Sequence, residues 1–162
     1  MNTPIPFVFN FHGYTGTAQG MRNFWYGDSN ADAMNYLNVY VESTTGANRN
    51  SWNDIGCAGS PGPAGPTCNY GTVSDVPIPS SCPRDQGPGA NDGYCNWCNC
   101  EADDVAFIEY LAGIIEQNYC IDVSREYALG YSQGGMMTHT VGCQLNGRFA
   151  AIAPCFVFCG SM

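Results

Sequence analysis

Glu126-Tyr127-Ala128-Leu129-Gly130-Tyr131-Ser132-Gln133-Gly134-Gly135-Met136-Met137 is the stretch that decides how this chain folds. Tyr127, Ala128 and Leu129 form a short apolar run that predicts a buried strand. Gly130–Gly134 then matches G-x-S-x-G, and the small and apolar residues from Gln133 onward predict a helix. A serine on so sharp a strand-to-helix turn has a strained backbone, and bulky neighbours two positions to either side would clash. Gly130 and Gly134 remove those clashes and let the helix approach the strand. The turn lifts the Ser132 hydroxyl above the sheet edge and aims the Gln133 N–H at the same place. Ser132 is therefore the candidate nucleophile.

Outward from this turn, Ile5–Phe11 is an apolar, β-rich run that predicts a strand, followed by the glycine-rich turn His12-Gly13-Tyr14-Thr15-Gly16-Thr17. Thr17 to Tyr26 and Asp28 to Tyr36 read as short helices, and Leu37–Val41 as the next strand. Asp103 and Asp104 open a helix to about Gln117, with Val105, Ile108, Leu111, Ala112 and Ile115 as its core face. As an acid–base pair these two carboxylates have less to recommend them than as helix-start acids. Tyr127–Tyr131 is the third strand, Gln133–Leu145 the helix after the serine, and Phe149–Ala153 begins a fourth strand. Strands alternating with helices predict an α/β fold, a mostly parallel sheet with helices on both faces.

Between about residues 43 and 100 the pattern dissolves into Gly, Pro, Ser, Asn and Cys, too long for an ordinary connection and so a functional or disulfide-held excursion. The whole reads as a single domain. A net charge of −9, from 14 acidic against 5 basic residues, argues against a nucleic-acid partner, which needs clustered Lys and Arg. Ten cysteines point instead to an oxidising, extracellular compartment and to disulfides. Met1–Pro6 lacks the apolar segment of a secretory leader, and no run is long enough for a membrane span, so a secreted protein is expected to begin upstream of Met1.

In a parallel sheet of this kind the site lies at the carboxyl ends of the strands. Two such ends stand out, His12-Gly13 and Ser132. An ester-cleaving serine needs a second N–H from the loop after an early strand, beside the N–H that follows the nucleophile. Tyr14 is the candidate second donor and Gln133 the first; the plain alternative is a tight turn at Gly13 with no such role.

With Phe11-His12-Gly13, Ser51-Trp52-Asn53, Asp103–Ile108, Ile121-Asp122, Gly130–Met137 and Arg148–Pro154 in this order, the chain resembles the secreted α/β-hydrolases that include polyhydroxybutyrate depolymerases and feruloyl esterases. The resemblance covers both ends of the chain but little of residues 57–100. It implies hydrolysis of carboxylic esters, of plant-polymer or polyester type, by a Ser-Asp-His triad with Ser132 as nucleophile and the Gln133 and Tyr14 amides on the oxyanion. No cofactor and no metal are expected. The chain departs from that pattern after Ser132, where it has no Asp or Glu and only His139, inside the helix behind the turn. His12 reads as a structural residue of its turn. The family's opening hairpin and its later strands are expected beyond Met1 and Met162, which makes this a partial hydrolase domain or a degenerate relative. A non-catalytic, disulfide-rich extracellular domain binding a glycan or polymer is the alternative.

Cys95, Cys98 and Cys100 have a spacing that zinc could use, but the irregular Cys57, Cys68 and Cys82 and the lack of a nearby histidine favour disulfides. Cys120, Cys143, Cys155 and Cys159 read as further staples. Trp52, Tyr70, Tyr94 and Trp97 either line a groove over the site or pack a disulfide knot.

Overall fold

Phe7, Phe9 and Phe11 alternate along Ile5–Phe11, so a strand puts all three on one face, and none has any exposed surface. The computed structural model describes residues 3–25, 27–43, 45–46, 49–52 and 103–155. Its elements run β1 (Ile5–Phe11), α1 (Ala18–Trp25), α2 (Gly27–Met34), β2 (Leu37–Val41), β3 (Thr45–Gly46), β4 (Arg49–Asn50), α3 (Asp104–Asn118), β5 (Ile121–Tyr131), α4 (Gln133–Gln144) and β6 (Ala151–Cys155). β2, β1, β5 and β6 lie side by side in that order, with every neighbouring pair parallel. The chain is thus an α/β fold on a parallel sheet.

The step from β1 to β2 moves one way along the sheet and the step from β5 to β6 the other. Right-handed crossovers put the helices of these two steps on opposite faces. α1 and α2 accordingly pack on β1 and β2, and α4 packs on β5, β6 and β1. The order reverses between β1 and β5, which opens a crevice outside their carboxyl ends.

The core lies on the phenylalanine side of the sheet. Phe7, Phe9, Phe11, Val41 and Ala128 meet Ile108, Ala112 and Ile115 of α3, Met137 and Val141 of α4, and Trp52. Val105 and Leu111, expected on the same α3 face, are partly buried against this cluster. Asp103 begins α3, its Oδ1 accepting the Ala106 N–H at 3.0 Å.

Three expectations change. β5 starts at Ile121, not Tyr127, because Ser124 and Arg125 lie exposed on the strand and interrupt its apolar pattern while Ile121 still pairs with Ile5. β6 is Ala151–Cys155, and β3 and β4 form a small antiparallel pair at the start of the stretch expected to lack regular structure. Cys143 and Cys155 stand as free thiols, not staples. Cys57, Cys68, Cys82, Cys95, Cys98, Cys100 and Cys159 lie outside the described residues, as do Tyr70, Tyr94 and Trp97.

Away from the carboxyl ends of the strands, Glu126 of β5 is buried beside Arg148, whose Nη1 donates to Glu126 Oε2 at 3.0 Å and also to Glu116 of α3. Burial, then the Glu116 carboxyl, pushes the Glu126 pKa up to about 7 against the pull of Arg148. Among the described residues, no helix is long and apolar enough to cross a membrane.

Candidate active site

Ser132 follows the last residue of β5 and stands as the N-cap of α4, at φ 56° and ψ −121°. An L-residue in this region is strained, typically by about 1–3 kcal/mol, and persists only where its surroundings hold it. Those surroundings are explicit. The Ser132 N–H donates to the Cys155 carbonyl at 2.9 Å, fastening the turn to β6, and the Ser132 carbonyl accepts the N–H groups of Gly135 and Met136 at 2.9 and 3.2 Å. The Ser132 hydroxyl makes no capping bond to α4.

The two glycines of the turn occupy places where no side chain fits. A Cβ on Gly130 would overlap the Gly134 carbonyl, and one on Gly134 would overlap the Phe11 carbonyl and lie 2.6 Å from the His12 oxygen. α4 therefore begins directly against the end of β1 as well as β5. The first N–H groups of a helix point along its axis beyond any intrahelical acceptor, and Gln133 is the first residue of α4.

Across the crevice, Gly13 faces Ser132 closely: a Cβ there would lie 3.3 Å from the Ser132 Cβ and 3.3 Å from the Tyr131 carbonyl oxygen. Tyr14 is the next residue, inside a turn in which the Gly16 N–H donates to the Gly13 carbonyl at 2.9 Å. The structure thus brings Gly13, Gly130, Ser132, Gln133 and Gly134 together, with Tyr14 one residue from the contact.

The turn is pinned from three sides. The Thr15 N–H donates to the Asn50 carbonyl at 2.9 Å, and the Asn50 side chain donates to the Gly16 carbonyl and to Glu42 Oε1, both at 2.9 Å. Glu42 Oε2 accepts the Ala18 N–H at the start of α1, at 2.8 Å. His12 is buried, with Nδ1 at 2.8 Å from the Gly13 carbonyl and Nε2 at 3.2 Å from the Ser43 N–H. These partners define one neutral tautomer, Nδ1–H donating and Nε2 accepting. Burial keeps the His12 pKa below its ordinary value, although the Gly13 carbonyl and Glu42 pull the other way. With both ring nitrogens engaged, His12 holds the turn and does not serve Ser132.

Trp52 departs from one of its expected settings. It is wholly buried, in edge contact with Phe11, and donates its Nε1–H to the His12 carbonyl at 2.8 Å; it lines no groove. The side chain of Gln133 holds its backbone, donating to the Trp52 carbonyl at 3.0 Å and to Ser51 Oγ at 3.3 Å while accepting the Trp52 N–H at 3.4 Å. Sequence reasoning assigned Gln133 only through its amide and missed this clamp. The signal was present in Ser51-Trp52, a pair without a mechanical role until the fold places it against Gln133.

His139 is exposed on α4, with Nδ1 at 3.5 Å from Cys143 Sγ one turn on. Neither histidine of the chain is therefore set to take a proton from Ser132. Among the described residues, no group of three or more His, Cys, Asp or Glu is placed to hold a metal ion.

No family model matches the chain. Over 69 residues it is 41% identical to feruloyl esterase B of Piromyces equi, a match covering 43% of this chain and 13% of that protein. Over 57 residues it is 35% identical to a probable feruloyl esterase C of Aspergillus niger, covering 35% of this chain and 21% of that one. A bifunctional acetylxylan esterase/xylanase of Neocallimastix patriciarum is 31% identical over 68 residues, 42% of this chain and 10% of its own length. The matches span no more than 21% of any of these three relatives. The chain is homologous, over part of its length, to feruloyl and acetylxylan esterases.

Proposed function

We propose that this chain is the central part of a secreted serine carboxylic ester hydrolase of α/β-hydrolase type, a single partial domain with a disulfide-rich excursion over about residues 43–100. Ser132 is its nucleophile. The observation that carries the reading is the backbone of Ser132, strained at φ 56° at the reversal point of the sheet and facing Gly13. The partial homology to esterases supports it. Its likeness to polyhydroxybutyrate depolymerases rests on sequence motifs alone.

In the proposed reaction Ser132 Oγ attacks the ester carbonyl while its proton passes to a base. The carbonyl π electrons move onto oxygen, where the Gln133 and Tyr14 N–H groups stabilise the negative charge. Collapse of this intermediate releases the alcohol with a proton returned to it, and water repeats the sequence on the acyl-serine. The described residues supply the nucleophile, the donors and a rigid frame, and neither His12 nor His139 is placed to act as the base. An ester of a plant polymer or a polyester is the proposed substrate.

One observation favours a second reading, a non-catalytic hydrolase-like domain that binds glycan or polymer: His12 is committed to its turn and His139 sits beside Cys143. A fluorophosphonate probe on the native, full-length protein separates the two. Labelling mapped to Ser132, and absent from Ser132→Ala, is expected. A folded native protein whose Ser132 stays unlabelled would sink the hydrolase reading and leave the binding one.

A further inference from the structure

α4 turns two different sides to its surroundings. Met137, Thr138 and Val141 are buried, and a Cβ on Gly142 would lie 2.6 Å from Ile152 Cδ1, so this side of the helix is spent on the core and on β6. His139 and Cys143 stand on the other side, and both are exposed. Residues four apart are neighbours on a helix surface, and here His139 Nδ1 and Cys143 Sγ lie 3.5 Å apart.

An imidazole nitrogen and a thiolate sulfur are donors that zinc and its softer divalent relatives take together. Zn–S and Zn–N bonds of about 2.3 and 2.0–2.1 Å, set at a tetrahedral angle, put the two donors about 3.5–3.6 Å apart. The observed separation is therefore that of a chelate, reached without moving the helix. The electrostatic setting agrees. The carboxyl end of a helix is a negative pole that favours a cation, and the last turn of α4, where Cys143 stands, holds no basic side chain. The net charge of −9 adds attraction at longer range.

We propose that His139 and Cys143 form a two-ligand chelate for a divalent cation of the zinc class, on the solvent side of α4 and separate from the Ser132 centre. On binding, the Cys143 thiol releases its proton to water and bonds the metal through sulfur. His139 bonds it through the Nδ1 lone pair while Nε2 carries the ring proton. Water takes the remaining positions, which sets this apart from a closed structural site of four side chains. Nothing in it depends on Ser132 being a nucleophile.

The test is the protection of one thiol. The full-length native protein is treated with iodoacetamide at rising zinc chloride concentration, and peptide mass mapping follows the alkylation of Cys143 by itself. Zinc is expected to protect Cys143, and EDTA to restore its reactivity. His139→Ala should raise the zinc concentration for half-protection by about tenfold or more, since loss of even an outer partner of a metal ligand has an effect of that order. Position 139 is exposed, and circular dichroism checks that the variant folds; His139→Gln, closer in size, repeats the measurement if it does not. A Cys143 that zinc leaves equally reactive, or protects just as well in the histidine variant, overturns the chelate. So does a Cys143 found in a disulfide in the untreated protein.

Discussion

At the scale of the residue, the site is a problem of backbone clearance. Gly134 touches the Phe11 and His12 carbonyls so closely that a methyl group there must push α4 off the end of β1. Gly134→Ala is expected to cost about 2 kcal/mol or more, the upper part of the range for overpacking. Gly113 of α3 is the control, since a Cβ there meets nothing within 4 Å. Gly113→Ala should stabilise the chain by about 0.5–1 kcal/mol, because glycine in a helix interior is the less favourable residue. Urea unfolding of both variants checks the contrast, and equal effects would mean that the close approach at the turn is not what requires glycine. The role of Gly134 was legible in the sequence, because clearance follows from G-x-S-x-G itself. The use of the Gln133 side chain was not, because its partners at Ser51 and Trp52 are remote in the chain.

At the scale of the element, β1, β2 and α4 follow from local pattern, with buried apolar runs bounded by turn residues. β5 does not, since Asp122, Ser124 and Arg125 satisfy one another at its exposed beginning and disguise a strand as a polar turn. The turn after β1 was recognisable from its glycines, but what holds it rigid belongs to β4, to Glu42 and to Trp52. Trp52→Phe tests that support. It keeps an aromatic ring against Phe11 and removes the Nε1–H that satisfies the His12 carbonyl together with part of the indole's buried volume. An unsatisfied buried acceptor costs about 1–3 kcal/mol, so a fall of that size in unfolding free energy is expected. No change would show that neither the bond to the His12 carbonyl nor the full volume of the indole supports the turn.

At the scale of the whole molecule, two buried titrating groups make stability depend on pH, with opposite signs. Glu126 has its folded pKa raised from 4.5 to about 7, so the folded chain binds its proton more tightly than the unfolded chain does. Its contribution is full below about pH 4.5 and is lost as pH rises through about 7. His12 has a lowered folded pKa, so its contribution is present above the ordinary histidine value of 6.5 and is lost as pH falls below it. The slopes oppose one another, and Glu126→Gln separates them. The melting temperature of the variant, relative to the parent, is expected to improve between pH 5 and pH 8, and a parallel pair of curves would overturn the assignment to Glu126. None of this was visible in the sequence, where Glu126 is one acid among 14 and nothing marks it as buried. The parallel seam between β1 and β5 also has a consequence in time. Its partners, from Ile5 with Ile121 to Phe11 with Gly130, join distant parts of the chain, so the entropy of closing a long loop is spent before any pairing is gained. α3 needs only local contacts. In a refolding experiment read by pulsed hydrogen exchange, amides of α3 should be protected before those of Phe9 and Ala128, and simultaneous protection would refute this order. The crevice that holds Ser132 straddles that seam, so the site is among the last parts of the molecule to come into existence each time the chain folds.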